Sequence, residues 1–162
     1  MMDDIRAILS VEHLATLRGG YDEAAFTAAN RDAMAGLFPA LAAYGRGVSE
    51  SFFEEPSGLP ACERERCLIA VLTAIGVPTS LAVHIYWGLM AGLSVQEVCQ
   101  VISLSGCYSG LARTSQGLLV LRQTLEHLRT LAEGGIVEAD QVLAALVATD
   151  SRGSASETST RY

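Results

Sequence analysis

Residues 59–113, LPACERERCLIAVLTAIGVPTSLAVHIYWGLMAGLSVQEVCQVISLSGCYSGLAR, decide the fold. Ala61 to Ile75 is one helical block with a charged start and an apolar body, closed by Gly76-Val77-Pro78. Thr79 or Ser80 can cap the next helix, which runs to about Met90. Gly92 ends it, and Ser94-Val95-Gln96-Glu97 is a capping box that starts a third helix. That helix runs through Val98, Val101, Ile102 and Leu104 to the small patch Ser105-Gly106-Cys107-Tyr108-Ser109-Gly110. Two glycines inside a helix cost about 1 kcal/mol each against alanine, so the patch implies close helix packing or an approached ligand.

Two polar side chains stand out in this apolar sequence. Glu65 has Leu68, Ile69 and Leu72 at i+3, i+4 and i+7, so its carboxylate leaves from the stripe that enters the core. His84 has Trp87, Gly88 and Ala91 at the same spacings. The plain readings are a first-turn carboxylate paired with an arginine, a satisfied core histidine, and a tryptophan that anchors a core or an interface.

Toward the N-terminus, residues 3–18 predict a helix with Ile5, Ile8 or Leu9, His13 and Leu17 near a 3.6 period, ended by Gly19-Gly20. His13 reads as a surface histidine. Residues 22–53 are Ala-rich helical sequence, interrupted at Pro39 and at Gly45 and Gly47. Met34, Leu37, Phe38, Leu41 and Tyr44 form an apolar stripe there that faces a core or a partner chain, the core being the plainer reading. EEPSGLP (54–60) is a loop. Toward the C-terminus, a helix over about Ser115 to Ala132 carries Leu118, Leu121, Leu125, Leu128 and Ala132 at spacings of three and four, a bundle or subunit seam. His127 lies beside its charged face and reads as solvated. After Gly134-Gly135 comes a short helix, about Glu138 to Ala148, and then a Ser/Thr-rich tail that should be disordered. No strand alternation of useful length appears, so the chain is all-α. The divisions are an N-terminal helical arm (1–58), a central helical domain (59–149) and a tail (150–162).

The 162 residues are half hydrophobic and only 18% charged, more apolar than one core of this size can hide, which predicts a homo-oligomer. No apolar run approaches the ~20 residues of a membrane span, and the acidic start lacks signal-peptide features, so the expected compartment is the cytoplasm. A net charge of -7, with eleven scattered arginines and no lysine, argues against nucleic-acid or anionic-membrane partners. Cys62 and Cys67 lie about 7.5 Å apart along one helix axis, and Cys99 and Cys107 about 12 Å along another, so neither pair can bridge. They read as thiols. Three histidines and four cysteines without C-x-x-C or H-x-x-x-H give no zinc pattern, and no nucleotide loop or G-x-S-x-G elbow is present. No metal or cofactor is expected. What remains is a carboxylate and an imidazole in apolar helices, a pair able to pass a proton to and from a bound molecule.

LPACERERCLIAVLTA, a histidine, and AGLSVQEVCQVISLSGCYSG in this order resemble the carboxymuconolactone decarboxylase family, to which the alkylhydroperoxidase D proteins belong. In that family a glutamate precedes a histidine by nineteen positions, as Glu65 does His84 (84 − 65 = 19). The family's A-G-x-(S/T)-x-x-E-(I/V) turn corresponds to Ala91–Val98, and its Y-x-G to Tyr108–Gly110. Redox members carry a C-x-x-C pair seven and four residues before the histidine, where this chain has Val77 and Ser80. The resemblance therefore implies the cysteine-free branch. It implies a helical bundle of the alkylhydroperoxidase D-like type, assembled as a trimer or hexamer, with Glu65 and His84 handling the proton. Thr79, Ser80, Trp87 and Tyr108 would line the substrate, a small organic acid or lactone undergoing decarboxylation or isomerisation. The alternatives are a thiol-dependent peroxidase using Cys107 or Cys67, and a non-catalytic oligomeric scaffold.

Overall fold

The computed structural model describes residues 2–37 and 58–148. Among the described residues there are eight helices and no strand: α1 (Met2–Arg6), α2 (Val11–Gly20), α3 (Glu23–Leu37), α4 (Ala61–Ile75), α5 (Pro78–Met90), α6 (Val95–Ser109), α7 (Leu111–Glu133) and α8 (Ala139–Val147). The described residues include no helix long and apolar enough to cross a membrane.

Helix α5 is the axis of the bundle. Its sequence, PTSLAVHIYWGLM, has no Asp, Glu, Lys or Arg, so no face of it demands water. Eight of its residues are buried, from Leu81 to Met90. Helices α4 and α7 lie against it, α6 fills the angle between them, α8 covers a further face, and α2 and α3 pack from outside on α7 and α8. The leucine stripe of α7 turns inward: Leu121, Leu125 and Leu128 are wholly buried, each contributing about 1.5–3 kcal/mol by burial. Of the two settings open to that stripe, bundle and subunit seam, the chain's own core uses it.

Helix α4 has the bounds its sequence predicts, because Pro60 cannot continue a helix backward and Gly76 ends it. Ser94 caps α6 as expected, accepting from the Glu97 amide while the Glu97 carboxylate accepts from the Ser94 amide. The N-terminal helix differs. It is broken at residues 7–10, where Ser10 starts α2 with a capping box closed by His13, whose Nδ1 accepts from the Ser10 amide at 3.3 Å. His13 thus has a structural partner, and Gly19-Gly20 lies inside α2. Helix α5 also starts differently: Val77 is its cap, Pro78 occupies the first turn, and no side chain caps it, so Thr79 and Ser80 lie within the helix. Helix α7 begins at Leu111, four residues before the predicted start, because Gly110 both ends α6 and precedes α7. His127 is half-buried. Met34 is 47% exposed and so does not face the core. The side chain of Leu37 and residues Phe38, Leu41, Tyr44, Pro39, Gly45 and Gly47 lie outside the described residues, as do the first part of the 54–60 loop and the tail from 150.

Close packing accounts for the small patch on α6. A methyl group at Gly106 would stand 1.6 Å from Thr114 Oγ1 of α7, so only hydrogen fits. At the far end of α5, Arg18 of α2 donates to the Leu89 carbonyl from Nε (3.0 Å) and Nη2 (2.7 Å), reinforcing a helix-end carbonyl that also accepts from the Gly92 amide at 3.3 Å.

An ion pair joins α4 to α6. Arg66 meets Glu63 on its own helix and Glu97 at 2.6 Å. Hydrogen bonds from the Ser94 amide and hydroxyl, then from Arg66, lower the Glu97 carboxyl from its ordinary 4.5 to about 2. The depressed value means that the unfolded chain takes up the proton first. The contribution is complete above pH 4.5 and fades as pH falls toward 2. Thermal melting across that window should show a shallower acid decline for Glu97→Gln than for the parent, with the two curves separated most above it.

Candidate active site

The inner stripe of α4 consists of Glu65, Ile69 and Thr73, one turn apart, all buried. Glu65 is 1% exposed, an expensive position for a carboxylate unless its oxygens are paired. Both are. Oε2 lies 2.8 Å from Nδ1 of His84 on α5, and Oε1 accepts from Nε of Arg64 at 3.3 Å. The pair can meet because Gly88 stands one turn beyond His84 on the face toward α4. A methyl group there would come within 2.9 Å of Leu93, 3.3 Å of Ile69 and 3.5 Å of Glu65 Cβ, and would push the helices apart.

Arg64 donates to one oxygen of the Glu65 carboxylate, and the His84 Nδ1–H donates to the other. That fixes the tautomer and leaves Nε2 with a lone pair. The His84 side chain is 16% exposed. The arrangement is a buried carboxylate holding one nitrogen of a part-buried imidazole.

Trp87, one turn on from His84, packs its ring 5.1 Å from the imidazole at 52°. Ser80 lies about 40° round α5 from His84, on the same side, whereas Thr79 lies about 140° away. The structure thus groups Glu65, His84, Trp87 and the Ser80 position, and sets Thr79 on another face. Tyr108 does not join them. It is 90% exposed and lies eleven positions past Glu97 (108 − 97), about 16 Å along α6 from the end that meets Arg66. Its spacing from the buried Val98, Ile102 and Gly106 already places it off the inner face of α6. Arg113 is also distant from Glu65: it covers Gly76 and donates to Gln116.

Residues from the N-terminal segment complete the surroundings, and the sequence reading missed them. Phe26 of α3, 1% exposed, packs at 5.4 Å edge-on to Trp87 and at 4.8 Å from Tyr86. Tyr21, in the break between α2 and α3, packs edge-on to Tyr86 at 5.7 Å. Burial first, and the charge of Glu23 next, raise the Tyr21 hydroxyl well above its ordinary range; burial pushes Tyr86 up to about 12. Both stay protonated at neutral pH. The signal that could have found them is the aromatic pair Tyr21 and Phe26 flanking a capping Asp22.

A cleft of about 300 Å³ opens on the outer side of Tyr21, Phe26 and Tyr86, and one of about 550 Å³ lies between α1 and α7. The four cysteines are free: Cys99 is buried, Cys67 and Cys107 are exposed, and Cys62 donates to the Ala91 carbonyl at 2.8 Å. Among the described residues, no three His, Cys, Asp or Glu side chains are gathered so as to hold a metal ion.

No curated protein and no solved structure matches the chain. The sequence pattern described as the carboxymuconolactone decarboxylase family matches residues 35–123, more than half of the 162, and spans α4, α5, α6 and the first half of α7. With Glu65 and His84 in contact at the centre of that matched region, on an all-α fold, the chain belongs to the carboxymuconolactone decarboxylase family.

Proposed function

We propose that this protein is an enzyme that moves a proton on a small organic acid or lactone without a metal or cofactor, ending in decarboxylation or isomerisation. The observation that carries this reading is the 2.8 Å contact between a carboxylate that is 1% exposed and an imidazole that remains partly open. In an isomerisation, His84 Nε2 takes a proton from a carbon next to a carbonyl and returns it to another carbon. In a decarboxylation, the carbon–carbon bond to the leaving carboxylate breaks, its electron pair stays on the substrate carbon, and the imidazolium Nε2–H protonates that carbon. Glu65 steadies the imidazolium in both cases. Ser80 and Trp87 are the side chains on the His84 face best placed to touch the substrate.

The test is incubation with a panel of small lactone acids, carboxymuconolactone included, in D2O. Nuclear magnetic resonance should show deuterium at one substrate carbon, with carbon dioxide released if the substrate decarboxylates, and neither with Glu65→Gln. A panel that gains no deuterium and loses no carbon dioxide, together with consumption of Cys67 or Cys107 thiols by peroxide, would replace this reading with the thiol-dependent one.

We also infer a homo-oligomer. Val71 and Ile75 on α4, Leu104 on α6 and Leu111 at the start of α7 are each more than half exposed, in helices that lie against one another, and light scattering should return a mass above 17.1 kDa.

A further inference from the structure

The cleft of about 300 Å³ beside Tyr21, Phe26 and Tyr86 has no part in the proton-transfer reading, since neither Glu65 nor His84 lines it. It opens where two helices begin. Asp22 precedes α3, Glu138 precedes α8, Asp140 stands in the first turn of α8, and the two helices pack on one another. The wall beside them is tight: a methyl group at Gly20 would stand 2.4 Å from Val137 Cγ2. All three carboxylates line the cleft, and among the described residues no arginine or histidine does.

Carboxylates at helix starts are ordinary, and two of these do ordinary work. Asp22 Oδ1 accepts from the Ala25 amide and Asp140 Oδ1 from the Gln141 amide, each at 2.9 Å, whereas Glu138 makes no side-chain cap. Capping does not account for Tyr86. It reaches the same cleft from α5, is 2% exposed, and its hydroxyl makes no hydrogen bond to any described residue. A hydroxyl taken from water without a partner costs stability, so one kept on the wall of a cleft points to a bound molecule that supplies the partner. The charge of that molecule follows from its surroundings. Two helix N-termini offer an anion about half a positive charge each, against three full negative charges, so the cleft favours a cation. The rings of Phe26 and Tyr21, at 4.8 and 5.7 Å from that of Tyr86, supply aromatic surface of the kind that holds organic cations.

We propose that this cleft binds a small primary amine as its ammonium ion, with the Tyr86 hydroxyl accepting one N–H, the rings lying against its hydrocarbon and the three carboxylates balancing its charge. The organic acid of the proton-transfer reading would be repelled here, so this is a second site. Burial pushes Tyr86 up to about 12, which keeps the hydroxyl neutral at ordinary pH and able to accept. A cleft of about 300 Å³ lies at the lower end of ligand pockets and limits the occupant to a short chain.

The test is titration of the full chain with n-butylammonium, followed through the backbone amide signals by nuclear magnetic resonance, with butyrate and tetramethylammonium as comparisons. Saturable shifts confined to residues 20–26, 86 and 137–140 are expected with n-butylammonium and not with butyrate. Tyr86→Phe should weaken n-butylammonium at least about fivefold, yet leave tetramethylammonium, which has no N–H to give, within about twofold of the parent. Its melting temperature should be unchanged or higher, because phenylalanine fills the same space and drops an unpaired hydroxyl. Glu138→Gln with Asp140→Asn should weaken both cations at least about tenfold. Tighter binding of butyrate than of n-butylammonium, no saturable shift up to about 50 mM amine, or equal weakening of both cations by Tyr86→Phe overturns the proposal. A marked fall in the melting temperature of Tyr86→Phe does so too, since the hydroxyl would then have a partner within the fold. None of these outcomes involves turnover, so the roles of Glu65 and His84 are decided separately.

Discussion

His84→Ala is expected to lower turnover by about 10²- to 10⁴-fold, the range that a positioned acid–base group supplies, while the helical circular dichroism stays that of the parent. The size follows from what remains after the change. Glu65 is buried and acceptor-only once ionised, bonded to Arg64, so it has no free proton to lend. Trp87 has only its indole N–H, a donor that cannot act as a base. No other side chain of the group can take the imidazole's place. The fold should survive because His84 is only part-buried and lies one turn from Gly88, against which Ile69 of α4 and Leu93 of the turn after α5 pack. Free imidazole added to His84→Ala should restore part of the lost rate by entering the vacated space. Turnover within about threefold of the parent would remove His84 from the chemistry.

The second large effect separates function from stability at a single position. Glu65→Leu should abolish turnover to the same extent as His84→Ala, yet leave the melting temperature unchanged or raise it. A buried ion pair replaced by an apolar side chain of similar volume is commonly neutral or stabilising by about 1–4 kcal/mol, because the cost of drying the charges disappears along with their attraction. The neighbours suit such a change: Ile69 and Leu93 stand beside Gly88 and Glu65 Cβ, Arg64 is partly exposed and can turn to water, and His84 can be neutral. Glu65→Gln should fall between, since an amide can accept from Nδ1–H but carries no charge to steady the imidazolium. The parallel is a carboxylate that orients a catalytic imidazole, whose amide replacement costs about 10⁴ in kcat elsewhere. A Glu65→Leu protein destabilised by about 3 kcal/mol or more, with turnover intact, would make Glu65 a structural group.

What the sequence made legible follows from how locally each feature is determined. Helix α4 was readable to the residue because Pro60 and Gly76 punctuate it, and α6 because Ser94 and Glu97 satisfy each other within one turn. The contact of Glu65 with His84 was readable only through the resemblance; on spacing alone both fitted ordinary core or capping roles. The split of the first helix was not readable, because its capping box is closed by a histidine and not by the Glu or Gln that marks such boxes. Tyr108 was misplaced because the resemblance outweighed the periodicity of α6, whose buried positions exclude it. Tyr21 and Phe26 were invisible for a different reason. Their partners, Tyr86 and Trp87, are some sixty positions away, and no local pattern encodes a contact of that range.

The Arg18 guanidinium on the Leu89 carbonyl bears on where this molecule begins and ends as a physical object. Kinship spans 35–123, but a piece cut at those borders would sever α7 just before Leu125 and Leu128, strip Phe26 from Trp87, and uncover the side of α5 on which α8 rests. Ancestry and foldability therefore have different frontiers in this chain, and the matched heart is wrapped by flanks without which it has no closed interior.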